Sequence, residues 1–180
     1  MDAPTYRLAR SDDELEQILA LQRRNLEEAL APGAARREGF VTVRHDLALL
    51  RDMNDAAPHV VAIGEDRVVG YALVMLRSFA ERIPMLAPMF ALLDELLGDR
   101  RWLVMGQVCV DVGWRGRGVL DGLYRELRLR YEGRYDLVAT EIARRNGRSS
   151  RAHARVGFEL LHRHRAEGGD EWDVVVWTWR

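Results

Sequence analysis

Hydrophobic and polar residues alternate along this chain with two different periods, which predict a mixed series of strands and helices. A period of two is typical of a half-buried strand, whereas apolar residues three and four apart are typical of an amphipathic helix. Strands are predicted at residues 6–9, in two runs within 59–77, and at 102–112, 137–142, 158–162 and 173–179. Helices are predicted at 11–30, 46–53, 87–97, 119–130 and 146–156. This order predicts a single α/β domain over residues 1–180, an α+β mixed sheet of about seven strands with flanking helices.

Two short sequence motifs predict where a helix starts and where a hairpin turns. Ser11 precedes the first helix and Glu14 follows three residues later, which is the spacing of a capping box. Gly64, Glu65 and Asp66 separate two apolar runs, which is typical of a hairpin turn. We therefore expect a helix that starts at Ser11 and a β-hairpin centred on residues 64–66.

Composition narrows the function classes. A net charge of −1 and a pI near 6.5 argue against a nucleic-acid or membrane-surface binder, and no apolar run approaches the ~18 residues of a membrane span. Cys109 is the only cysteine, which excludes an intrachain disulfide and a zinc–cysteine cluster. A single cysteine and a polar, acidic segment at 1–17 fit a cytoplasmic location. His45, His59, His162 and His164 lack the spacing of metal ligands, so no metal is expected, and the last two are interpreted as surface residues.

An Arg-Gly-Arg-Gly turn joins a predicted strand to a predicted helix at residues 115–118. The first N–H groups of a helix have no internal acceptor, and the helix dipole adds about half a positive charge there. Glycines allow a phosphate to approach the backbone, while Arg115 and Arg117 supply forked donors. The segment therefore predicts a phosphate or pyrophosphate site; the alternative is an ordinary tight turn with surface arginines.

Two familiar phosphate motifs fit this turn poorly. A Walker loop ends in Gly-Lys-Ser/Thr, which is missing here. Gly116, Gly118 and Gly122 form G-x-G-x-x-x-G, one residue longer than the dinucleotide fingerprint, although Glu141 could imitate the acid that binds the ribose. About a hundred residues precede the motif, whereas a Rossmann domain usually begins with it. A dinucleotide enzyme is kept as an unfavoured alternative.

The same turn resembles the acetyl-CoA-binding motif of the GNAT acyltransferase superfamily, Q/R-x-x-G-x-G/A. Arg115 and Gly118 match this pattern, whereas Leu120 stands where the family has Gly or Ala. A second family pattern after the fifth strand combines an asparagine, a small residue, an aromatic residue and Gly-Phe; it is matched by Asn146, Ser149, His153, Gly157 and Phe158. The resemblance is sharp from Val104 to Leu161, and the hairpin within 59–77 suits the family's second and third strands.

The resemblance implies a fold in which the fourth and fifth strands, about 103–111 and 136–142, splay apart around the pantetheine arm of acetyl-CoA. The backbone of Val108, Cys109 and Val110 would bind that arm, and one of their N–H groups would polarise the thioester carbonyl. Asn146 would contact the pantetheine or cap the next helix, with Ser149 beside it on the cofactor side. The pyrophosphate would be held by Arg115, Gly116, Arg117, Gly118, Val119 and Leu120.

Candidate catalytic residues follow from the same resemblance. His153 stands where many relatives carry a tyrosine that protonates the leaving thiolate; an imidazole with an ordinary pKa near 6.5 could serve, or it could only pack beside the cofactor. Glu141 could receive the amine proton, bind a cationic acceptor, or form a salt bridge with Arg144 or Arg145. Gln107 could contact the acceptor, and Cys109 is interpreted as a small apolar filler.

The sequence therefore predicts an N-acetyltransferase that transfers an acetyl group from acetyl-CoA to the amine of an unidentified small molecule or peptide by direct attack. The alternative, which Leu120 favours, is a non-catalytic acyl-CoA-binding or protein-interaction module with the same fold. Asn25, Glu38 and residues 39–40 are placed to shape the acceptor site. Three tryptophans near the C-terminus, Trp172, Trp177 and Trp179, are interpreted as core and edge-strand packing; the alternative is an exposed apolar edge that forms a homodimer contact.

Overall fold

A computed structural model describes residues 2–31, 39–166 and 168–180 of the chain. Its strands are β1 (Thr5–Leu8), β2 (Val60–Gly64), β3 (Arg67–Met75), β4 (Trp102–Val110), β5 (Leu137–Ala143), β6 (Glu159–Arg165) and β7 (Glu171–Thr178). Its helices are α1 (Asp12–Asn25), α2 (Leu47–Ala56), α3 (Ala87–Leu97), α4 (Val119–Tyr131) and α5 (Gly147–Val156). Short 3₁₀ turns lie at Glu27–Ala29, Arg77–Arg82, Pro84–Leu86 and Val112–Trp114. Glu38, which the sequence places at the acceptor site, lies outside the described residues.

The seven strands form one mixed sheet in the order β1-β2-β3-β4-β5-β7-β6. Neighbouring strands are antiparallel except β4 and β5, which run parallel. Only Trp102, Leu103 and Val104 of β4 pair with β5, and beyond them the two strands separate. This confirms the predicted seven-stranded mixed sheet and its splayed central pair. A mostly antiparallel sheet also excludes the Rossmann arrangement, whose strands are parallel.

Local sequence explains where several elements start and turn. Glu65 and Asp66 both adopt positive φ, +52° and +57°, as the two central residues of a type I′ hairpin require. This confirms the hairpin between β2 and β3. Ser11 caps α1 by accepting the N–H of Glu14 at 3.4 Å. The reciprocal half of the predicted capping box is absent from the described contacts, because the Glu14 carboxylate instead accepts the N–H of Arg10 at 2.8 Å and the guanidinium of Arg7 at 2.6 Å.

Each face of the sheet is covered by a different set of helices. One core cluster packs α1, α2 and α3 on the first face and includes Leu15, Leu50 and Phe90. The second cluster packs α4 on the opposite face and includes Leu123 and Leu127. Four methionines, Met53, Met75, Met89 and Met105, are buried in these cores, whereas Met85 is 65% exposed. Among the described residues, no helix is both long and apolar enough to cross a membrane.

Candidate functional site

A loop with exposed backbone donors leads into helix α4. Gly118 is the N-cap residue of α4 and has φ +74° and ψ +10°, in the left-handed region that glycine favours. Gly116 has the same φ of +74°. Within the described ranges, no protein group accepts the N–H groups of Gly116 or of residues 118–121. The sequence thus folds into a cluster of free main-chain donors at a helix N-terminus, the arrangement that binds anions.

These donors face a large open cavity beside the splayed strands. The cavity has a volume of about 500 Å³ and reaches from α4 to α5 and the loop before α2. Nearly all the residues predicted to bind the cofactor line it: Val108, Cys109, Val110, Arg115, Gly116, Gly118, Val119, Leu120, Asn146 and Ser149. Arg117 is missing from this lining and instead lies over the ring of Trp114, 5.7 Å from its centre. The structure therefore brings the two sequence motifs to one cavity.

A smaller cavity of about 60 Å³ lies on the other side of the opening. It shares Phe40, Val108 and His153 with the larger cavity, so the two cavities are neighbours. Glu141 and Trp172 line only the smaller one. The opening therefore has two sides, one with the backbone donors and one with a carboxylate and an indole ring.

Arg115 is anchored by the protein itself. Its Nε donates to the carbonyl of Val110 at 3.1 Å, and one terminal nitrogen donates to Oδ1 of Asn25 at 2.6 Å. These bonds connect the loop to the end of β4 and to helix α1. Asn25 and residues 39–40, predicted to shape the acceptor site, line the larger cavity instead.

Asn146 caps helix α5, one of its two predicted roles. Its Oδ1 accepts the N–H of Ser149 at 3.3 Å, and its Nδ2 donates to the carbonyl of Phe40 at 2.9 Å. The side chain is buried and also lines both cavities. It therefore holds the loop before α2 against the start of α5, where the two cavities meet.

His153 is buried and engaged at both ring nitrogens. Nδ1 lies 2.8 Å from the carbonyl of Ser149, which can only accept a hydrogen bond, so Nδ1 carries the proton. Nε2 then accepts the hydroxyl of Tyr124 at 2.6 Å. Burial lowers the pKa of His153 to about 4, so the ordinary value near 6.5 assumed from the sequence is not retained. The imidazole is neutral at pH 7, and its proton is already donated.

Glu141 makes a contact that the sequence did not indicate. Its Oε1 accepts Nε2–H of His164, a residue of β6 that was interpreted as lying on the surface. Arg144 instead pairs with Glu171, and Arg145 pairs with Glu27, so neither predicted salt bridge to Glu141 is formed. Burial raises the pKa of Glu141 above its ordinary value, and His164 holds back part of the rise. The carboxylate is thus a stronger base than an exposed one.

The Gln107 side chain is hydrogen-bonded to other protein groups, and the Cys109 thiol is buried. Oε1 of Gln107 accepts Gln22 at 2.8 Å and the hydroxyl of Tyr71 at 2.6 Å, while its Nε2 donates to the carbonyl of Val43 at 2.8 Å. Burial raises the pKa of the Cys109 thiol to about 12, so it stays protonated. Among the described residues no cluster of histidine, cysteine, aspartate or glutamate has metal-binding geometry.

Comparison with known proteins gives a result at the level of the fold. No protein-family model matches the chain, and no curated protein does. The NatC complex bound to Gag peptide and CoA shares 10% identity, with a TM-score of 0.70, over 99% of this chain and 100% of the matched one. Polyamine N-acetyltransferase from Drosophila melanogaster shares 14% identity, TM-score 0.70, over 97% and 99%. A GNAT-family protein from Desulfovibrio desulfuricans shares 14% identity, TM-score 0.66, over 98% and 99%.

This chain therefore has the fold of the GNAT N-acetyltransferases, as the two motifs implied. Sequence reasoning located the backbone donors, the splayed strands and the helix cap. It missed Tyr124, His164 and Trp172 as parts of the site. The first two could be found only from contacts between segments distant in sequence, because neither belongs to a recognisable motif.

Proposed function

We propose that this protein is an N-acetyltransferase that uses acetyl-CoA as co-substrate. In the overall reaction an ammonium R–NH₃⁺ and acetyl-CoA give the amide R–NH–CO–CH₃, CoA–SH and one proton. The C–N bond forms and the C–S bond breaks; the nitrogen loses two protons, and the products hold one on the sulfur of CoA–SH and one in solvent. A longer acyl group would use the same chemistry.

The observation that carries this proposal is that the free N–H groups of Gly116 and residues 118–121 line the cavity beside the opening between β4 and β5. A pyrophosphate bound at the helix N-terminus would direct the attached pantetheine along the unpaired edge of β4. There the N–H groups of residues 108–110 could bind the arm and stabilise the oxyanion that develops on the thioester. The solved NatC complex contains CoA, which supports this choice of ligand.

Glu141 is the proposed proton acceptor. It lines the cavity on the side of the opening away from the phosphate donors, where an amine would approach. Its raised pKa brings it closer to that of a base operating near neutrality. His153 as the acid stays a prediction; its neutral, doubly hydrogen-bonded ring favours a role in holding the cavity wall. Solvent then supplies the proton to the thiolate, because a thiol has an ordinary pKa of about 8.5.

The acceptor is proposed to be the amine of a small molecule or of a peptide. The structural neighbours include one protein bound to a peptide and one that acts on polyamines, which supports both classes. A homodimer and a cytoplasmic location stay predictions from the sequence.

Isothermal titration with acetyl-CoA tests the cofactor site, and thiol release over a panel of amines tests the reaction. Gly118→Asp should abolish binding, because its carboxylate would cap helix α4 and repel the diphosphate. Gly118→Asn is the matched control: it occupies the same space and tolerates the same positive φ without the charge. It should retain measurable binding.

Absence of heat with acetyl-CoA and with longer acyl-CoAs would refute the proposal. Binding without thiol release from any amine would instead favour the non-catalytic module. Equal loss in both Gly118 variants would mean that bulk rather than charge blocks the site.

A further inference from the structure

We propose that His164 is a positioning residue that aims the carboxylate of Glu141 at the acceptor amine. This inference rests on the proposed function and concerns the same site. The sequence gives no reason to connect the two residues, which lie 23 positions apart. They meet because strand β7 lies between β5 and β6 in the sheet.

The register of the three strands places both side chains on one face. Glu141 pairs with Val174 of β7, and Val174 pairs with His162 of β6; two residues along, His164 pairs with Trp172. Cross-strand partners point to the same face of a sheet. Glu141, Trp172 and His164 therefore share the face that carries the smaller cavity, and the ring of His164 reaches diagonally across β7.

The contact leaves half of the carboxylate available. Oε1 accepts Nε2–H of His164, whereas Oε2 accepts no hydrogen bond within the described ranges. The side chain of Glu141 is 11% exposed and that of His164 is 25% exposed. The carboxylate is thus shielded from bulk water but borders the cavity, with one oxygen fixed and one unoccupied.

An imidazole suits this role better than a guanidinium. A fixed positive charge beside a carboxylate lowers its pKa and weakens it as a base. The arginines of these strands and of the loop after β5 contact other acids: Arg144 and Arg165 bind Glu171, and Arg163 binds Asp173. The imidazole of His164 orients Glu141 through a single hydrogen bond, from Nε2–H to Oε1.

The step that this arrangement favours is deprotonation of the acceptor. One N–H bond of the bound ammonium breaks, its proton moves to Oε2 of Glu141, and the nitrogen keeps the electron pair that attacks the thioester. With Oε1 fixed, Oε2 has a defined direction toward the amine, which lowers the entropy lost in reaching the reactive geometry. His164 keeps its hydrogen bond to Oε1 during this step.

Steady-state kinetics on three variants test the proposal. His164→Phe removes the donor and keeps a ring of similar size, so kcat should fall about tenfold or more while the Kd for acetyl-CoA stays unchanged. His164→Gln keeps an N–H donor and should restore most of the activity. His162→Phe is the matched control, since the same change on the same strand and face touches no catalytic group, and it should leave kcat unaltered.

Nitrogen-15 NMR of labelled histidines provides a readout that needs no acceptor. His164 should be held as the Nε2–H tautomer with a downfield ring proton, and Glu141→Gln should shift this signal without moving that of His162. A His164 ring that shows no tautomer preference and does not respond to Glu141→Gln would overturn the proposal, whatever the kinetics. Unchanged kcat in His164→Phe together with a large loss in Glu141→Gln would also overturn it. An intact NMR signature with no turnover of any amine would contradict the proposed function instead.

Discussion

The indole of Trp114 lies directly over Gly64, where a Cβ would come within 2.4 Å of its Cη2 atom. Trp114 is buried just before the loop of residues 115–118, and Gly64 ends strand β2. The loop that presents the backbone donors is therefore fixed to the β2–β3 hairpin through a ring that only glycine can accommodate.

Gly64→Ala should consequently lower stability and weaken cofactor binding together. The added methyl group forces the buried ring to move, at a cost of about 1–3 kcal/mol for overpacking. Thermal unfolding and calorimetry with acetyl-CoA measure the two effects. Gly133→Ala is the control, because a Cβ there meets nothing within 4 Å. Normal stability in Gly64→Ala would show that Trp114 is not held as described.

Tyr124→Phe should destabilise the protein while leaving cofactor binding intact. The variant removes the hydroxyl that donates to Nε2 of His153, and a buried acceptor without a partner costs about 1–3 kcal/mol. Urea unfolding measures the loss. Tyr135→Phe is the comparison, since its hydroxyl makes no hydrogen bond among the described residues. A tenfold fall in kcat with unchanged stability would instead assign Tyr124 a direct part in proton transfer.

Stability should fall as the pH drops from 6.5 toward 4. Burial lowers the pKa of His45 to about 4, of His59 to about 3 and of His153 to about 4. Between these values and about 6.5 the unfolded chain binds protons that the folded chain excludes, so each histidine costs about 1.4 kcal/mol per pH unit in that window. The raised pKa of Glu141 opposes this loss of stability, because at this group the folded chain binds up to one proton more than the unfolded chain.

Urea unfolding at several pH values checks this dependence. His59→Asn should flatten the slope by about one histidine's share, because its Oδ1 can replace Nδ1 as acceptor of the Val74 N–H. Stability that stays constant between pH 7.5 and 4.5 would contradict the burial of these rings as neutral groups.

Cys109 should be unreactive in the folded protein. Burial raises the pKa of its thiol to about 12, and only the thiolate attacks alkylating reagents. Iodoacetamide should modify Cys109 rapidly in urea and far more slowly in buffer. Cys109→Ala should keep acetyl transfer, because the proposed contribution of this position is its backbone. Rapid inactivation of the native enzyme by iodoacetamide would contradict that assignment.

Much of the fold was predictable because local sequence patterns determine where its helices and strands begin and end. Helix α3 has the predicted bounds, and β4 and α4 differ from prediction by one or two residues at one end. Ser11 and Asp46 cap helices whose apolar stripes face the core. The donor loop was equally local, since two glycines between a strand and a helix define its geometry. The role of Gly122 was not predictable from a local pattern. It belongs to no phosphate motif, and its lack of a side chain leaves room for the ring of Tyr6, whose Cζ would lie 2.1 Å from a Cβ.

The remainder of the site depends on which strands become neighbours. Placing β7 between β5 and β6 brings His164 to Glu141, and packing α5 against α4 brings His153 to Tyr124. Neither contact has a sequence signature, because periodicity assigns a residue to a face but does not say what lies across from it. For the same reason, the sequence did not show that Arg144 and Arg145 bind Glu171 and Glu27 rather than the nearby Glu141.

The separation of β4 from β5 after three paired residues leaves this sheet structurally incomplete. Main-chain groups that a continuous sheet would satisfy internally remain available along the inner edges of the gap. A linear ligand with amide groups, lying in that gap, could hydrogen-bond to the main chain of both strands and so replace the missing strand pairing. Occupancy and folding would then be coupled, because a ligand that binds only the folded chain raises its free energy of unfolding.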